Sequence, residues 1–311
     1  MKDFKSWGTK IRTLKDYNYR AIWNNLVTIR LGEDDEEIIE LPPELSEFYD
    51  VGITTRCNLM CPFCYVSAGK SGRDFEDICG TWKRWMEQYP IKKKGNVSTS
   101  LRPYQIAIGS VGCPCVHPDF TKFLQTVYET DVVPNYTTNG LILSDYSDPW
   151  CQEILEYTRN FVGGVAVSFG NTLVRWRALK AIYNLLKYGE CKVMIHHLIS
   201  DKKSVEDFIV TTRDFGKDIH YHVLLPLMAH GRSTRGLEEG VYEYLEEEII
   251  KNNISNVAFG ANFYPYIDKG TKLPISTYPQ EAYSKNILLD NGKVTITPSS
   301  FNLNPIKTIK V

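Results

Sequence analysis

An α/β protein with a parallel sheet is what this chain of 311 residues predicts, and two observations carry that reading. From residue 50 onward, short apolar runs alternate with amphipathic stretches of helical period, and Gly, Pro, Ser and Asp mark the junctions between them. Alternation of this kind implies right-handed βα units, because a crossover between parallel strands packs back onto its sheet in one sense only. Six strands alternating with five helices fall two units short of a closed eight-unit barrel.

The strands are expected at 50–54 (DVGIT), 104–109 (YQIAIG), 132–137 (VVPNYT), 162–168 ending in Ser168, 192–199 (KVMIHHLI) and 219–225 (IHYHVLL). Helices are expected at 75–89, 119–130, 148–160, 171–189 and 204–216. Asp119 and Asn171 stand as caps, Pro149 in a first turn, and Ser204 with Asp207 in capping-box spacing. Gly189 and Gly216 sit where helices should stop. Before this series, "NLVTIRLGEDDEEIIELP" at 25–42 predicts a hairpin around an acidic turn, stopped by Pro42 and Pro43. After it, "VYEYLEEEIIKNN" predicts a sixth helix, "NVAFGANF" a further strand, and "NILLDNGKVTITPSSF" a C-terminal hairpin with Asn291-Gly292 at its turn.

Composition narrows the function classes. A hydrophobic fraction of 43% and a charged fraction of 23% are ordinary for a soluble globular chain. No apolar run approaches the roughly 18 to 20 residues that cross a bilayer, so no membrane partner is expected. With 36 basic against 37 acidic residues, no field of one sign argues for general nucleic-acid binding. The run "KKK" at 92–94 is expected as a solvated loop. The opening "MKDFKSWGTKIRTLKDYNYR" has no apolar signal core, which predicts a cytoplasmic, unprocessed chain. Eight cysteines are too sparse for a disulfide scaffold at this length.

Three of those eight crowd into "TTRCNLMCPFCYVSAG" at 54–69, as Cys57-x3-Cys61-x2-Cys64. The stretch follows the first strand of the alternating series, at the end where parallel α/β proteins build their sites. Thiolates suit zinc or iron–sulfur clusters. Structural zinc wants four ligands, and three thiols in one loop leave a position unfilled. A cubane held by three cysteines has the same vacancy, open there to a substrate. The bland alternatives are a zinc site borrowing Cys79, Cys113 or Cys115, and reduced thiols that merely lie close together.

With Phe63 before its last cysteine and Tyr65 after it, this loop resembles the cluster loop of the radical S-adenosylmethionine (SAM) superfamily. The resemblance implies a [4Fe–4S] cluster on Cys57, Cys61 and Cys64 whose unique iron chelates the amino and carboxylate groups of SAM. It implies reductive cleavage of SAM to a 5′-deoxyadenosyl radical that takes a substrate hydrogen. Phe63 and Tyr65 are then expected beside the cofactor. The implied fold is a partial TIM-type (β/α)6 barrel with an N-terminal β-hairpin and a C-terminal α+β cap. The corresponding division is 1–49 for the hairpin extension, 50–235 for the barrel core and 236–311 for the cap.

Further motifs extend the resemblance over about residues 50 to 232. In "IAIGSVGCPCVHPDF", Ser110-Val111-Gly112-Cys113-Pro114 stands where the family commonly carries Gly-Gly-Glu-Pro, whose main chain meets the amino group of SAM. Cys113 replaces the glutamate and Val111 the first glycine. Gly112 and Cys113 are expected at the cofactor. Cys113 and Cys115 suggest a second metal or a hydrogen donor, against the plainer reading of small buried residues. Thr138, Asn139 and Gly140 match a Thr-Asn-Gly turn of relatives, and Ser168 is the candidate for the ribose or carboxylate of SAM. Of His196 and His197 only one can face the barrel interior, and His196 is the candidate for SAM or substrate. His220 and His222 share one face at spacing two. Arg232 or Arg235 in "PLMAHGRSTRG" suits a carboxylate or phosphate, and solvated arginine is the ordinary alternative. Arg56, beside Cys57, either tunes cluster charge or is solvated.

No cysteine follows Cys191, so a C-terminal cluster held by that region's own thiols is excluded by count. The hairpin at 287–302 resembles the cysteine-rich extensions of peptide-modifying relatives with Ser299 and Ser300 where a ligand would stand, and it equally suits an ordinary hairpin. The expected substrate is a peptide or protein side chain, the alternative a small molecule or nucleotide, and the expected electron donor a flavodoxin- or ferredoxin-type reductase. A non-catalytic iron–sulfur or zinc protein is the reading from another class.

Overall fold

Two sheets organise the computed structural model, which describes residues 7–24, 27–32, 40–170, 174–267, 270–273 and 283–311. The chain opens with an antiparallel meander, β1 (Thr9–Leu14), β2 (Tyr19–Trp23) and β3 (Thr28–Leu31). The returning half of the predicted hairpin, at 33–39, lies outside the described residues. Next come β4 (Phe48–Gly52), α1 (Ile78–Glu87), β5 (Lys92–Lys94) and β6 (Val97–Thr99). β6 joins β1 in parallel and completes a five-stranded sheet in the order β3-β2-β1-β6-β5. The lysine run 92–94 is thus an edge strand and not a loop. Its three side chains are exposed, which is how an edge strand resists further pairing.

The series then runs β7 (Gln105–Ile108), α2 (Phe120–Glu129), β8 (Val133–Thr138), α3 (Pro149–Phe161), β9 (Gly164–Ser168), α4 (Arg175–Asn184), β10 (Lys192–Ile199), α5 (Lys202–Phe215) and β11 (Tyr221–Pro226). α6 (Val241–Lys251) and β12 (Val257–Phe259) follow, then the hairpin of β13 (Ser284–Asp290) and β14 (Lys293–Thr297), and finally β15 (Lys307–Lys310). All six predicted strands lie in one mixed ten-stranded sheet, in the order β12-β11-β10-β9-β8-β7-β4-β13-β14-β15. From β12 to β13 every neighbouring pair is parallel; β14 and β15 are antiparallel. The sheet is open, with β12 and β15 at its edges. Asn291 (φ 45°) and Gly292 (φ 73°) make the two-residue turn between β13 and β14, the left-handed geometry that an Asn-Gly pair supplies.

Helix ends correct the sequence reading in two places. α5 is capped by Asp201, whose carboxylate accepts from Ser204 N at 2.8 Å while Ser204 Oγ accepts from Asp201 N, so Ser204 closes the box and does not open it. Asp119 occupies the N-cap of α2 without a side-chain cap bond, and its own N–H donates to His117 Nδ1 at 3.0 Å. Asp148 caps α3 ahead of Pro149. Asn171 lies outside the described residues. α4 runs on to Gly189 as a π-helical turn.

Strand alternation decides where the core sits. Tyr49, Val51, Ile106, Ile108, Val165 and Ile195 point outward onto the helices and are inaccessible. Their partners across the interface are large: Trp82, Trp85, Phe120 and Phe123 are fully buried, with Trp82 edge-on to both Trp85 and Phe123. Trp82 also donates Nε1–H to Thr130 Oγ1 at 2.9 Å. A second cluster joins α5 and α6 to β10 and β11 through Phe208, Leu224, Leu245 and Phe263. The opposite strand face carries Asp50, Ala107, Asn135, Thr137, Gly164 and Ala166 and borders open space. Trp82→Ala should cost about 3–5 kcal/mol in a urea titration, since it empties the packed side and removes the donor to Thr130 Oγ1, which keeps its own bond to Val127 O.

Candidate functional site

The cysteine loop leaves β4 at its C-terminal end and is held there by its own main chain. Cys57 N–H donates to Gly69 O at 3.0 Å, Cys64 N–H to Cys61 O at 3.2 Å, and Ser67 N–H to Cys64 O at 3.2 Å. Arg56 is ion-paired with Asp74, which also accepts from Thr54 Oγ1, so its charge is spent on loop closure. Arg232 performs the larger clasp. Its Nε donates to Cys61 O at 2.8 Å, its Nη2 to Ala68 O at 2.9 Å, and its own N–H to Cys64 O at 3.0 Å. The anion role offered to Arg232 by sequence is therefore corrected to loop positioning; Arg235 is exposed.

The second motif lies directly on this loop. Cys113 N–H donates to Arg56 O at 2.9 Å, and a Cβ on Gly112 would stand 2.4 Å from Thr54 O and 2.6 Å from Arg56 O. Only glycine permits that approach. Cys113 and Cys115 are buried and free, both within reach of Thr138 Oγ1, at 3.7 and 3.4 Å. Hydrogen bonding from Cys115 draws Cys113 down to about 7, against burial, while burial pushes Cys115 well up. Thr138 thus engages the thiol pair. Asn139 turns its amide to the loop, donating to Asn58 Oδ1 at 2.7 Å and Cys57 Sγ at 3.4 Å. Burial, with Cys113 as neighbour, pushes Cys57 up to about 11.

A cavity of about 490 Å³ opens beneath the loop, and Cys57, Phe63, Gly112, Asn139, Ser168 and His196 all border it. Cys64, Tyr65, Cys113 and Thr138 border it as well; Cys61 does not. Tyr65 serves as a lid support, donating to Ser110 O at 3.0 Å, lying 3.2 Å from Ser300 Oγ, and stacking on Phe301 with centroids 4.3 Å apart. Ser299 and Ser300, where a ligand was sought by comparison with cysteine-rich extensions, form part of this wall.

The histidines separate as alternation demands. His196 faces the cavity, and burial pulls it down to about 4, which leaves it neutral at pH 7. His197 faces the helices and meets His222, Nε2 to Nδ1 at 3.0 Å, in a pocket with Phe208. His222 is thereby a core residue. His220 lies ahead of β11 and borders a different cavity, so the two do not share a face in use.

Among the described residues, no three His, Cys, Asp or Glu side chains converge in metal-binding geometry, the loop thiols included. The fit of the loop to a cluster rests on donor chemistry. All three thiols are half-buried, and an amide N–H from Asn139 already points at Cys57, the kind of bond that accompanies a thiolate ligand. The structure also brings in a residue that belongs to none of the motifs. Asp50, the only charged residue of "DVGIT", lies on the inner face and borders the cavity, and burial raises its carboxyl to about 6. A charge within an otherwise apolar strand was the available signal.

No protein-family model matches the chain. Its sequence is similar to 7,8-dihydro-6-hydroxymethylpterin dimethyltransferase of Methanocaldococcus jannaschii, 28% identical over 97 residues that span 31% of this chain and 18% of that protein. Its structure is similar to Streptococcus suis SuiB bound to the precursor peptide SuiA, at a TM-score of 0.58 and 16% identity over 85% of this chain and 60% of that one. SuiB bound to S-adenosylmethionine superposes at a TM-score of 0.56 and 16% identity, over 81% and 60%. The chain shares the mixed α/β fold of SuiB. It spans about three fifths of the length of SuiB and under a fifth of the pterin enzyme. Among the described residues no helix is long and apolar enough to cross a membrane.

Two measurements test this geometry. Arg232→Ala removes two charge-assisted bonds to loop carbonyls and should cost about 1.5–3 kcal/mol, with faster amide hydrogen exchange confined to 57–69. Asp50 gives a pH signature. A carboxyl raised from 3.8 to about 6 on folding makes the folded state hold its proton longer, so stability falls as pH rises through that window. Asp50→Asn abolishes the loss. The variant should match the parent at low pH and exceed it at pH 8 in urea titrations.

Proposed function

We propose that this protein is a radical SAM enzyme that modifies a peptide or protein side chain. The observation that carries the reading is the placement of Cys57, Cys61 and Cys64 on one clasped loop at the C-terminal end of β4, directly above a cavity bordered by Gly112, Ser168 and His196. In this reading the curled parallel strands form a partial (β/α)6 barrel, with 1–49 as an N-terminal extension and 236–311 as a cap. The three thiolates hold a [4Fe–4S] cluster. When bound, cluster and SAM supply one-electron cleavage of the sulfonium to a 5′-deoxyadenosyl radical that takes a substrate hydrogen.

The chain's own residues supply position and exclusion of water. Arg232 and Arg56 fix the loop; Asn139 steadies the Cys57 sulfur; the Gly112 main chain is free to approach the SAM amino group; Ser168 and neutral His196 offer hydrogen bonds to its ribose or carboxylate. Tyr65 and Phe301 close the mouth, which protects a reactive radical from side reactions. Electrons come from a flavodoxin- or ferredoxin-type reductase. The similarity to SuiB, whose structure is known bound to the precursor peptide SuiA, supports the peptide substrate. The similarity to a pterin dimethyltransferase favours a small-molecule substrate as the second reading.

Anaerobic reconstitution with iron and sulfide, followed by dithionite and SAM, should yield 5′-deoxyadenosine. Cys61→Ala should lose both the bound four-iron cluster and the nucleoside product. A full cluster without product would point to the non-catalytic iron–sulfur alternative, and retention of the cluster in the variant would overturn the ligand assignment.

A further inference from the structure

A second cavity, about 760 Å³, lies on the same inner face below the first, between the strands and the N-terminal residues Trp7 and Trp23. Asp50, Ala107, Thr137, His196 and Gly260 border both spaces, so the two meet at that level. Parallel register explains the opening. Asp50 stands beside Ala107, Ala107 beside Asn135, and Asn135 beside Gly164. On its other side Asp50 stands beside Asn286 of β13, so small Ala107 leaves space on one flank only, where the interior of a parallel barrel ordinarily packs bulky side chains.

Asp50 is the acidic side chain at this junction, and no described residue hydrogen-bonds or ion-pairs with it; burial alone perturbs it. The other titratable group there, His196, is neutral. Lys192, His220 and Glu190 border only the lower space, and Lys285 and Tyr65 only the upper. Asp50 is half-buried and borders both cavities without a partner among the described residues, so a cation delivered there meets a carboxylate free to make a charge-assisted hydrogen bond. From this arrangement we infer that Asp50 is the anchor for a protonated amine of the substrate, a lysine-type side chain or a small amine, held where the lower cavity meets the cofactor cavity. The inference rests on the reading of the upper cavity as the SAM site, and it adds the substrate's chemical class. An ammonium bound at Asp50 leaves its neighbouring carbons at the boundary with that upper cavity. The aliphatic remainder lies against Met194, Val223 and the tryptophans.

The test is calorimetric and does not depend on turnover. Acetyl-Gly-Gly-Lys-Gly-Gly-amide, its norleucine counterpart and n-hexylamine are titrated into reconstituted protein with SAM, for the parent and for Asp50→Asn. The lysine peptide or hexylamine should bind the parent at least tenfold more tightly than the norleucine peptide, and Asp50→Asn should erase that preference while leaving norleucine binding unchanged. Which of the two amines binds separates a peptide from a free amine as source. Equal affinity for lysine and norleucine, binding of neither amine, or an unchanged preference in Asp50→Asn overturns the inference. Normal 5′-deoxyadenosine formation alongside such a result would leave the enzyme reading standing, and a protein that takes up no cluster would sink that reading separately. The asparagine variant is isosteric and removes no hydrogen bond or ion pair of Asp50 with a described residue, so misfolding does not cloud the comparison.

Discussion

Parallel strands with helices on one side only must bury one face in hydrocarbon and leave the other to be filled by something else. Here the outward face is dense: Tyr49, Val51, Ile106, Ile108 and Ile195 meet two tryptophans and several phenylalanines with no accessible surface. At about 25 cal/mol per Å² of apolar area, that single layer is the dominant stabilising term. It frees the inner face from any duty to pack. Gly164, Ala107 and Ala166 can then stay small, and Asp50, Ser168 and His196 can stay polar, because the fold does not need them for stability. The hollow interior follows from the fullness of the exterior.

The same asymmetry determines what the chain's two ends do. A hollow face has two openings, and each is covered by a segment outside the alternating series. Trp7 and Trp23 from the N-terminal sheet border the lower space, and Trp23 stacks on Tyr104 at 5.9 Å. Buried Arg12 ties that sheet to the core through the Leu45 and Leu101 carbonyls. At the other opening, Ser300 and Phe301, beyond the β13–β14 hairpin, meet Tyr65 of the cysteine loop. Since β13 pairs with β4, the strand that launches this loop, the wall and the loop share one rigid base.

Much of the fold was legible because its signals are local. Apolar runs of strand length, Asp148-Pro149 ahead of a helix, and Asn291-Gly292 between two β-rich runs each carry their meaning within a few residues. The misreadings were also local ones. At 201–207 both Asp201 and Ser204 can start a helix, and only the closed capping box selects Asp201. The lysine run became a strand because β6 beside it pairs with β1, some ninety positions earlier. Among site residues, the cysteine loop and Gly112 stood out by spacing, and alternation showed that one of His196 and His197 faces inward without saying which. The jobs of Arg232, Thr138 and Tyr65 were not, since loop arginines, turn threonines and aromatics suit many partners equally.

By itself the sequence determined the order of elements and the gathering of three thiols into a single loop, because hydrophobic period and short spacings act between near neighbours. Tertiary structure alone decided that Asn139 points at Cys57 across 82 positions and that Arg232 closes on Cys61 across 171. It alone decided which histidine of the pair meets the cavity, and that Asp50 stands between Ala107 and Asn286 at the meeting of two spaces. The reason is physical: the curl of a sheet and the register of non-adjacent strands choose which residues face one another, and no pattern along the chain records that choice.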